Sequence, residues 1–162
     1  MISPKPPSPG DFLNPPPLMS FNFLVVFYGI GGGNGVPNTL DIRFQRVSGL
    51  GLSVNSTDKV RMGGHTVNLP NYPEHSNLTL ERGYVLGSPL RIELQETFAN
   101  LQFTPRDVMV ILLDPQGQAQ VSWLFMDAYP TKWVMGDLDA NQSSVFVETI
   151  ELSYTHFQPV SL

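Results

Sequence analysis

The 162-residue chain contains no cysteine, and only 14% of its residues are charged. The absence of cysteine excludes disulfide bonds, cysteine-ligated zinc and a thiol nucleophile, and it fits synthesis in a reducing compartment. An average globular chain has roughly 25% charged residues, which solvate its surface. So few charges indicate that other protein subunits cover much of this surface.

Long apolar runs and clusters of positive charge are also missing. The longest apolar run lies within residues 21–30, which is too short to cross a bilayer, and the segment before it lacks the features of a secretion signal. Nine lysine and arginine residues are scattered along a chain of net charge −5. Nucleic-acid-binding proteins concentrate such residues on one face. We therefore expect no specific nucleic-acid partner and no membrane anchor.

Proline, by contrast, is abundant at the start of the chain. Residues 1–20 contain seven of the fifteen prolines, which favour extended polyproline geometry. From residue 21 the composition changes to short runs rich in β-branched and aromatic residues. We predict a proline-rich extension over residues 1–20 and one folded domain over residues 21–162. The extension is expected to pack either on a neighbouring subunit or across its own domain.

Most of the domain has the pattern of short strands. Apolar and polar residues alternate with a period of two, which is typical of strands with one buried face, at residues 42–45, 50–55, 78–80 and 149–154. An apolar run at 21–28 predicts a further strand, and so does a short stretch around Trp133, after Pro130.

Two turns have specific residue signatures. Gly63 and Gly64 lie between alternating runs and predict a tight hairpin, because glycine readily adopts positive φ. The sequence Asp-Pro-Gln-Gly at 114–117 predicts a type I turn that joins strands at 108–113 and 119–126.

One helix interrupts the strands. Ser88 can cap it and Pro89 suits its first position, while Asn100 marks its end. Apolar residues then recur at helical spacing, at Leu90, Leu94, Phe98 and Leu101. One helix among eight to ten strands predicts a mainly β fold, a β sandwich or β barrel with one flanking α-helix.

Patterns that suggest a chemical site are incomplete. Asp137, Asp139, Asn141 and Glu148 occupy ligand positions of a calcium loop, but Gln142 replaces the required glycine. The glycine-rich stretch at 29–35 lacks both the spacing of a dinucleotide-binding loop and a following helix. The three histidines have no zinc spacing, and no nucleophile elbow occurs. We predict no catalytic residue, no metal, no cofactor and no enzymatic activity.

Four aromatic residues are more easily explained by packing than by ligand binding. We expect them to build the core, with Trp133 as an alternative anchor for a subunit interface; they are Trp123, Phe125, Tyr129 and Trp133.

Five segments in the same order resemble the tail-tube family of contractile phages and of extracellular contractile injection systems. They are residues 44–50 with Val-Ser-Gly-Leu, residues 69–83 with Leu-Pro, Ser-Asn and Thr-Leu-x-Arg-Gly, residues 106–114, Trp123 with Ala128-Tyr129-Pro130, and residues 147–154. The resemblance implies hexameric rings that stack into a hollow tube inside a contractile sheath. The implied partners are sheath and baseplate or spike-hub proteins, with cargo or a tape-measure protein in the lumen. It also implies assembly in the bacterial cytoplasm and a final place in a phage tail or a phage tail-like particle, some of which are extracellular.

The hairpin around Gly63 and Gly64 is the natural element to close sheet edges between ring subunits. Alternation would place one row of side chains against a subunit and the other toward the lumen, where small polar residues suit a smooth wall. The residues predicted for subunit contact or for the lumen are Leu52, Ser53, Val54, Asn55, Val60, Met62, Thr66, Val67, Asn68 and Leu69.

Two departures from the family pattern leave the exact layer open. The extension over residues 1–20 and the glycine-rich insertion at 29–38 are both unusual for a tube subunit, so the chain fits either the main tube or the tube initiator layer on the baseplate hub. The alternatives are a tube-capping or tail-completion protein and a carbohydrate-binding β sandwich.

Overall fold

The structure is a computed structural model that describes residues 22–30, 38 and 41–161, apart from the side chains of residues 55–57, 70 and 71. The predicted extension over residues 1–20, most of the glycine-rich insertion and the side chain of Asn55 lie outside the described residues.

The described residues are mainly β with one helix, as predicted. In chain order the elements are β1 (Phe23–Phe27), β2 (Arg46–Ser48), β3 (Leu52–Met62), β4 (His65–His75), β5 (Leu78–Gly83), α1 (Pro89–Asn100), β6 (Arg106–Leu113), β7 (Ala119–Met135), β8 (Val147–Ser153) and β9 (His156–Val160).

The long strand β7 belongs to two antiparallel sheets. Its first half pairs with β6 and, on its other edge, with β9, while its second half pairs with β8. Between the halves Asp127 has a φ of 52°, a left-handed conformation that turns the strand. The strand order is therefore β1-β6-β7-β8-β5-β2, with β9 beside β7 and the β3–β4 hairpin as a separate sheet. Trp133 thus lies in β7 and not in a strand of its own, and β9 was not predicted.

Residues 42–45 connect the two ends of this strand order without forming the predicted strand. The backbone N–H of Val25 in β1 donates to the carbonyl of Ile42 at 3.0 Å, and the N–H of Gln45 donates to the carbonyl of Glu81 in β5 at 2.8 Å. Because Ile42 bonds to β1 and Gln45 bonds to β5, residues 42–45 pair with no single strand and form no regular ladder. Phe44 nevertheless points inward and is buried.

The core lies between the two sheets and under α1. Alternate residues of β1, β5, β6 and β8 are buried, and Leu90 and Leu94 of α1 complete the cluster. Ser88 caps the helix by accepting a hydrogen bond from the N–H of Arg91, as predicted. The prediction for Leu101 is wrong: it ends the helix in a left-handed conformation and is 74% exposed, because a C-cap residue has left the helical face.

Both predicted turns are confirmed. Gly63 and Gly64 have φ values of 55° and 87°, and Met62 pairs with His65 directly across them. At the second turn the N–H of Gly117 donates to the carbonyl of Asp114 at 2.9 Å.

A matched pair of glycines on the way into β3 gives a stability prediction. Gly49 has a φ of 91°, and a Cβ there would lie 2.1 Å from the carbonyl oxygen of Asn77, whereas a Cβ on Gly51 would meet nothing within 4 Å. We expect Gly49→Ala to lower the free energy of unfolding by about 2–4 kcal/mol, the sum of left-handed strain and steric overlap. Gly51→Ala is expected to change it by no more than about 0.5 kcal/mol. Chemical denaturation of both variants tests this, and equal effects would contradict the geometry.

Candidate functional site

The β3–β4 hairpin projects from the body of the domain. Its two strands pair with each other, and within the described chain neither makes more than marginal contact with any other helix or strand. Each strand has 11 residues, which at about 3.3 Å per residue gives an arm of about 36 Å. A two-stranded ribbon of this kind is only marginally stable alone in water. The arm therefore needs a partner.

The register of the hairpin divides its outer half into an apolar face and a polar face. Residues directly opposite each other share a face, so Val60 and Val67 lie together, with Asp58 opposite Leu69 at one end of this face and His65 opposite Met62 at the other. Met62, two residues from Val60, adds to the same face. The other face has Lys59 opposite Asn68 and Arg61 opposite Thr66.

The apolar face, defined as Val60, Met62, Val67 and Leu69, is exposed to solvent. Met62 is 65% exposed and Leu69 is 46% exposed. The sequence pattern predicts one buried row on these strands, but no part of the described chain covers either row. An exposed group of apolar side chains on a projecting hairpin, here flanked by Asp58 and His65, is typical of a protein–protein contact.

The ten residues predicted for this site all lie in the two strands of the hairpin. Nine of them have side chains that the structure describes, all nine are exposed, and they fall into three groups. Val60, Met62, Val67 and Leu69 come together on the apolar face, and Thr66 and Asn68 on the polar face. Leu52, Ser53 and Val54 lie nearer the root, opposite residues 73–75, and the side chain of Asn55 is outside the described part. The structure adds Lys59 and Arg61 to the polar face, which sequence alternation alone would have indicated.

The root of the hairpin is attached firmly to the domain. The ring of His75, the last residue of β4, stacks on the ring of Tyr154 with centroids 4.0 Å apart, and its Nε2 lies 3.1 Å from the carbonyl oxygen of Thr155. Burial raises the pKa of the Tyr154 phenol above its ordinary value. The projecting arm therefore starts from a fixed point.

A buried charged cluster fixes the body that supports the hairpin. Arg82 of β5 donates from Nη1 to Asp41 at 2.5 Å, from Nε to Glu148 of β8 at 2.9 Å, and from Nη2 to Ser88 at 2.8 Å. The arginine and both carboxylates are almost completely buried. The indole N–H of Trp133 donates to the second oxygen of Glu148 at 2.8 Å.

The same cluster positions the start of α1. Asp41 accepts a hydrogen bond from the backbone N–H of Leu90 at 3.0 Å, and Ser88 donates its hydroxyl proton to Asp41. The cluster thereby joins one helix end, two strands and the loop before residue 42. Arg82 is the arginine of the Thr-Leu-x-Arg-Gly run, but that run does not indicate which residues it contacts.

Glu148 is consequently unavailable as the last ligand of the calcium-loop pattern. Its two carboxylate oxygens are bonded to Arg82 and Trp133, whereas Asp137, Asp139 and Asn141 lie in an exposed loop. In the part of the chain that the structure describes, histidine, aspartate and glutamate side chains form no group of three or more suited to a metal ion. Nor does any helix in that part provide the length of apolar sequence that a bilayer crossing requires.

The four predicted aromatic residues have different environments. Phe125 is fully buried, while Trp123 and Trp133 are half-buried and pack against the core. Tyr129 is 38% exposed, so the prediction that it builds the core is wrong. It instead meets the ring of Phe103 edge-on at 6.1 Å on the surface.

Comparison with known proteins finds one matching protein family and several similar solved structures. Residues 19–158 match the T4-like virus tail tube protein gp19 family. A chain in the cryo-EM structure of the anti-feeding prophage baseplate, symmetrised six-fold, is 32% identical with a TM-score of 0.76, and the match covers 90% of this chain and 96% of that chain. No curated protein sequence is significantly similar to this chain.

Two further solved structures share the fold at lower identity. A chain in the sheath–tube complex of the extracellular contractile injection system PVC, in the extended state, is 21% identical with a TM-score of 0.74, covering 97% of this chain and 100% of that chain. A chain of the cap that terminates the anti-feeding prophage tube is 23% identical with a TM-score of 0.72, covering 90% of this chain and 92% of that chain.

Proposed function

Because the chain belongs to the T4-like virus tail tube protein gp19 family, we propose that it is a structural subunit of the hollow inner tube of a contractile injection system. In this proposal six copies form a ring, rings of this kind stack inside a contractile sheath, and the lumen holds cargo or a tape-measure protein. The subunit has a mechanical role and uses no catalytic residue and no cofactor. It assembles in the bacterial cytoplasm and then becomes part of a phage tail or a phage tail-like particle.

The projecting hairpin is the observation that supports this role most directly. Its apolar face is exposed on an isolated chain, and a neighbouring subunit that covers it removes that face from water. A closed ring gives every copy the same neighbour, so no hairpin remains uncovered. The polar face then lies toward the lumen, with Lys59, Arg61, Thr66 and Asn68 along the wall.

Within the tube we favour the initiator layer on the baseplate hub. The 32% identity to a chain of the anti-feeding prophage baseplate supports this layer, whereas the 21% identity to a chain of the sheath–tube complex supports the fold alone. The proline-rich residues 1–20 also provide sequence for contacts other than those of identical stacked rings. A tube-terminating cap is the second candidate, and it too would form rings that do not stack on themselves.

Electron microscopy and native mass spectrometry of the purified protein, over a hundredfold range of concentration, test the proposal. We expect six-subunit rings that stay single at every concentration. Long tubes of the protein alone would assign it to the main tube instead. A strictly monomeric protein that binds a glycan array would contradict the proposal and support the carbohydrate-binding sandwich.

The initiator and cap assignments differ in their partner. Mixing the rings with tube protein and, separately, with baseplate hub protein of the same system is expected to give hub-bound rings from which tubes grow. Rings that bind only to the finished end of a tube would identify a cap.

A further inference from the structure

An apolar groove opens at the end of the domain from which the hairpin departs. It has a volume of about 160 Å³, and the residues that line it are all hydrophobic: Phe23, Val47, Leu50, Val110, Leu112 and Trp123. Val110 belongs to the buried core, whereas Leu50 is 41% exposed. The groove therefore leads from the surface of the domain to its core.

The size and the wall of the groove suit one large apolar side chain. An apolar cavity of about 150 Å³ in a protein stays dry and binds a molecule the size of benzene. Two aromatic residues, Phe23 and Trp123, form part of the wall. Methionine fits such a site well, because its unbranched side chain adapts to an irregular wall and its sulfur makes favourable contacts with aromatic rings.

The hairpin presents a methionine at its tip. Met62 is the last residue of β3 and pairs with His65 directly across the turn. It is 65% exposed, whereas Val60, Val67 and Leu69 of the apolar face are 37–46% exposed. Met62 is therefore the member of the apolar face that reaches furthest into solvent.

The groove beside a hairpin cannot receive the tip of that same hairpin. Strand β3 begins at Leu52, two residues after Leu50 of the groove, and Met62 lies ten residues further along, which is about 33 Å at about 3.3 Å per residue. Within the described chain neither strand of the hairpin makes more than marginal contact with another helix or strand. A methionine from this position reaches the groove only from a second copy of the chain.

The apolar surface continues from the groove onto the root of the hairpin. Leu52 and Val54, at alternate positions of β3, are 61% and 52% exposed. A hairpin that enters the groove of another copy can lay the rest of its apolar face along this root. Two surfaces that are exposed on the single chain then cover each other.

We propose that Met62 of one copy occupies the groove of the next copy, between the rings of Phe23 and Trp123. This inference rests on the proposed ring and names the contact that holds it together. The contact joins two different surfaces, so it is heterologous, and a heterologous contact closes into a ring when its rotation permits. Every copy then inserts one hairpin and receives one.

Two variants that each lack one half of the contact test this arrangement. Met62→Asp removes the inserted side chain, and Leu50→Asp places a charge in the groove; both positions are exposed on the single chain, so both variants are expected to fold. Each variant alone is expected to be monomeric. An equal mixture contains one intact hairpin and one intact groove, so we expect dimers and nothing larger, at least about tenfold more abundant than in either variant alone.

Native mass spectrometry of the natural chain, the two variants and their mixture separates the possible results. Rings of the natural chain together with a monomeric mixture would overturn the groove contact and leave the ring intact. A natural chain that forms no ring would overturn the proposed function and this inference with it. Variants that both keep their rings would overturn the groove contact alone.

Cysteine cross-linking between two different chains locates the contact. The natural chain has no cysteine. His65→Cys marks the hairpin tip in one chain and Gly51→Cys marks the groove in another, where an added Cβ meets nothing within 4 Å. Neither substitution alters Met62 or the groove wall.

We expect a short bismaleimide to link position 65 of one co-expressed chain to position 51 of the other. Adding Met62→Asp to the His65→Cys chain is expected to slow this reaction at least about tenfold, because the two sites are no longer held together. Peptide mass spectrometry identifies the products. Products that join mainly two hairpin tips would overturn the proposal, since they would show a contact between like surfaces.

Discussion

Val67→Asp is expected to convert rings of this protein into folded monomers. Val67 lies opposite Val60 in the middle of the apolar face and is 40% exposed in the single chain, so the carboxylate is solvated in the monomer and costs it little stability. In the ring the same carboxylate is covered by a neighbour without a counter-charge, and burying an unpaired charge costs several kcal/mol. Each 1.4 kcal/mol of lost binding free energy raises a dissociation constant tenfold, so we expect the dissociation constant of each interface to rise by at least about a hundredfold.

Thr66→Asp provides the matched control for Val67→Asp. It introduces the same charge one residue away in the same strand, but on the polar face opposite Arg61. We expect this variant to keep its rings, since that face meets water in the lumen. Sedimentation velocity measures assembly, and circular dichroism measures folding. The proposed arrangement would be wrong if Val67→Asp kept its rings or if both variants lost them equally.

Arg82→Met is expected to lower the free energy of unfolding by about 3–5 kcal/mol, because it leaves two buried carboxylates without their cation. Asp41 and Glu148 would remain in the interior with fewer hydrogen bonds, and Ser88 would lose one of its donors. Such a loss is a large part of the 5–15 kcal/mol that stabilises a typical domain. Equilibrium denaturation by urea, followed through the fluorescence of Trp133 beside the cluster, measures it.

Two further substitutions separate charge from geometry in this cluster. Arg82→Lys keeps the positive charge but replaces the planar guanidinium, which reaches three partners at once, so we expect a loss smaller than that of Arg82→Met yet still measurable. Arg43→Met removes an exposed arginine and is expected to change stability by no more than about 0.5 kcal/mol. A result for Arg82→Met as small as that for Arg43→Met would show that the cluster does not stabilise the fold.

Local chemistry made several elements predictable. The start of α1 at Ser88 and Pro89 and the two turns at residues 63–64 and 114–117 depend on the conformational limits of a few neighbouring residues. Such limits act in the same way in any surrounding structure. The mainly β class with one helix was predictable from the alternation of apolar and polar residues and from the residues that start α1.

Contacts distant in the sequence were not predictable. Arg82 and Glu148 are 66 positions apart, and nothing in their neighbours indicates that they meet. The alternation at residues 42–45 correctly predicted which side chains are buried, but the predicted strand does not form. Ile42 bonds to Val25 and Gln45 bonds to Glu81, which lie in different strands, and the local sequence does not show this. Tyr129 and Leu101 are exposed for a similar reason: hydrophobicity alone does not show whether a core lies nearby.

The sequence by itself determined the two rows of the β3–β4 hairpin, its glycine turn and the family, because these depend on the order of residues along the chain. Only the tertiary structure showed that the hairpin leaves the body with its apolar face uncovered, that Arg82 gathers two distant carboxylates, and that a groove opens beside Phe23. Burial and charge pairing are properties of positions in space, and the chain reaches those positions only when the sheets have formed.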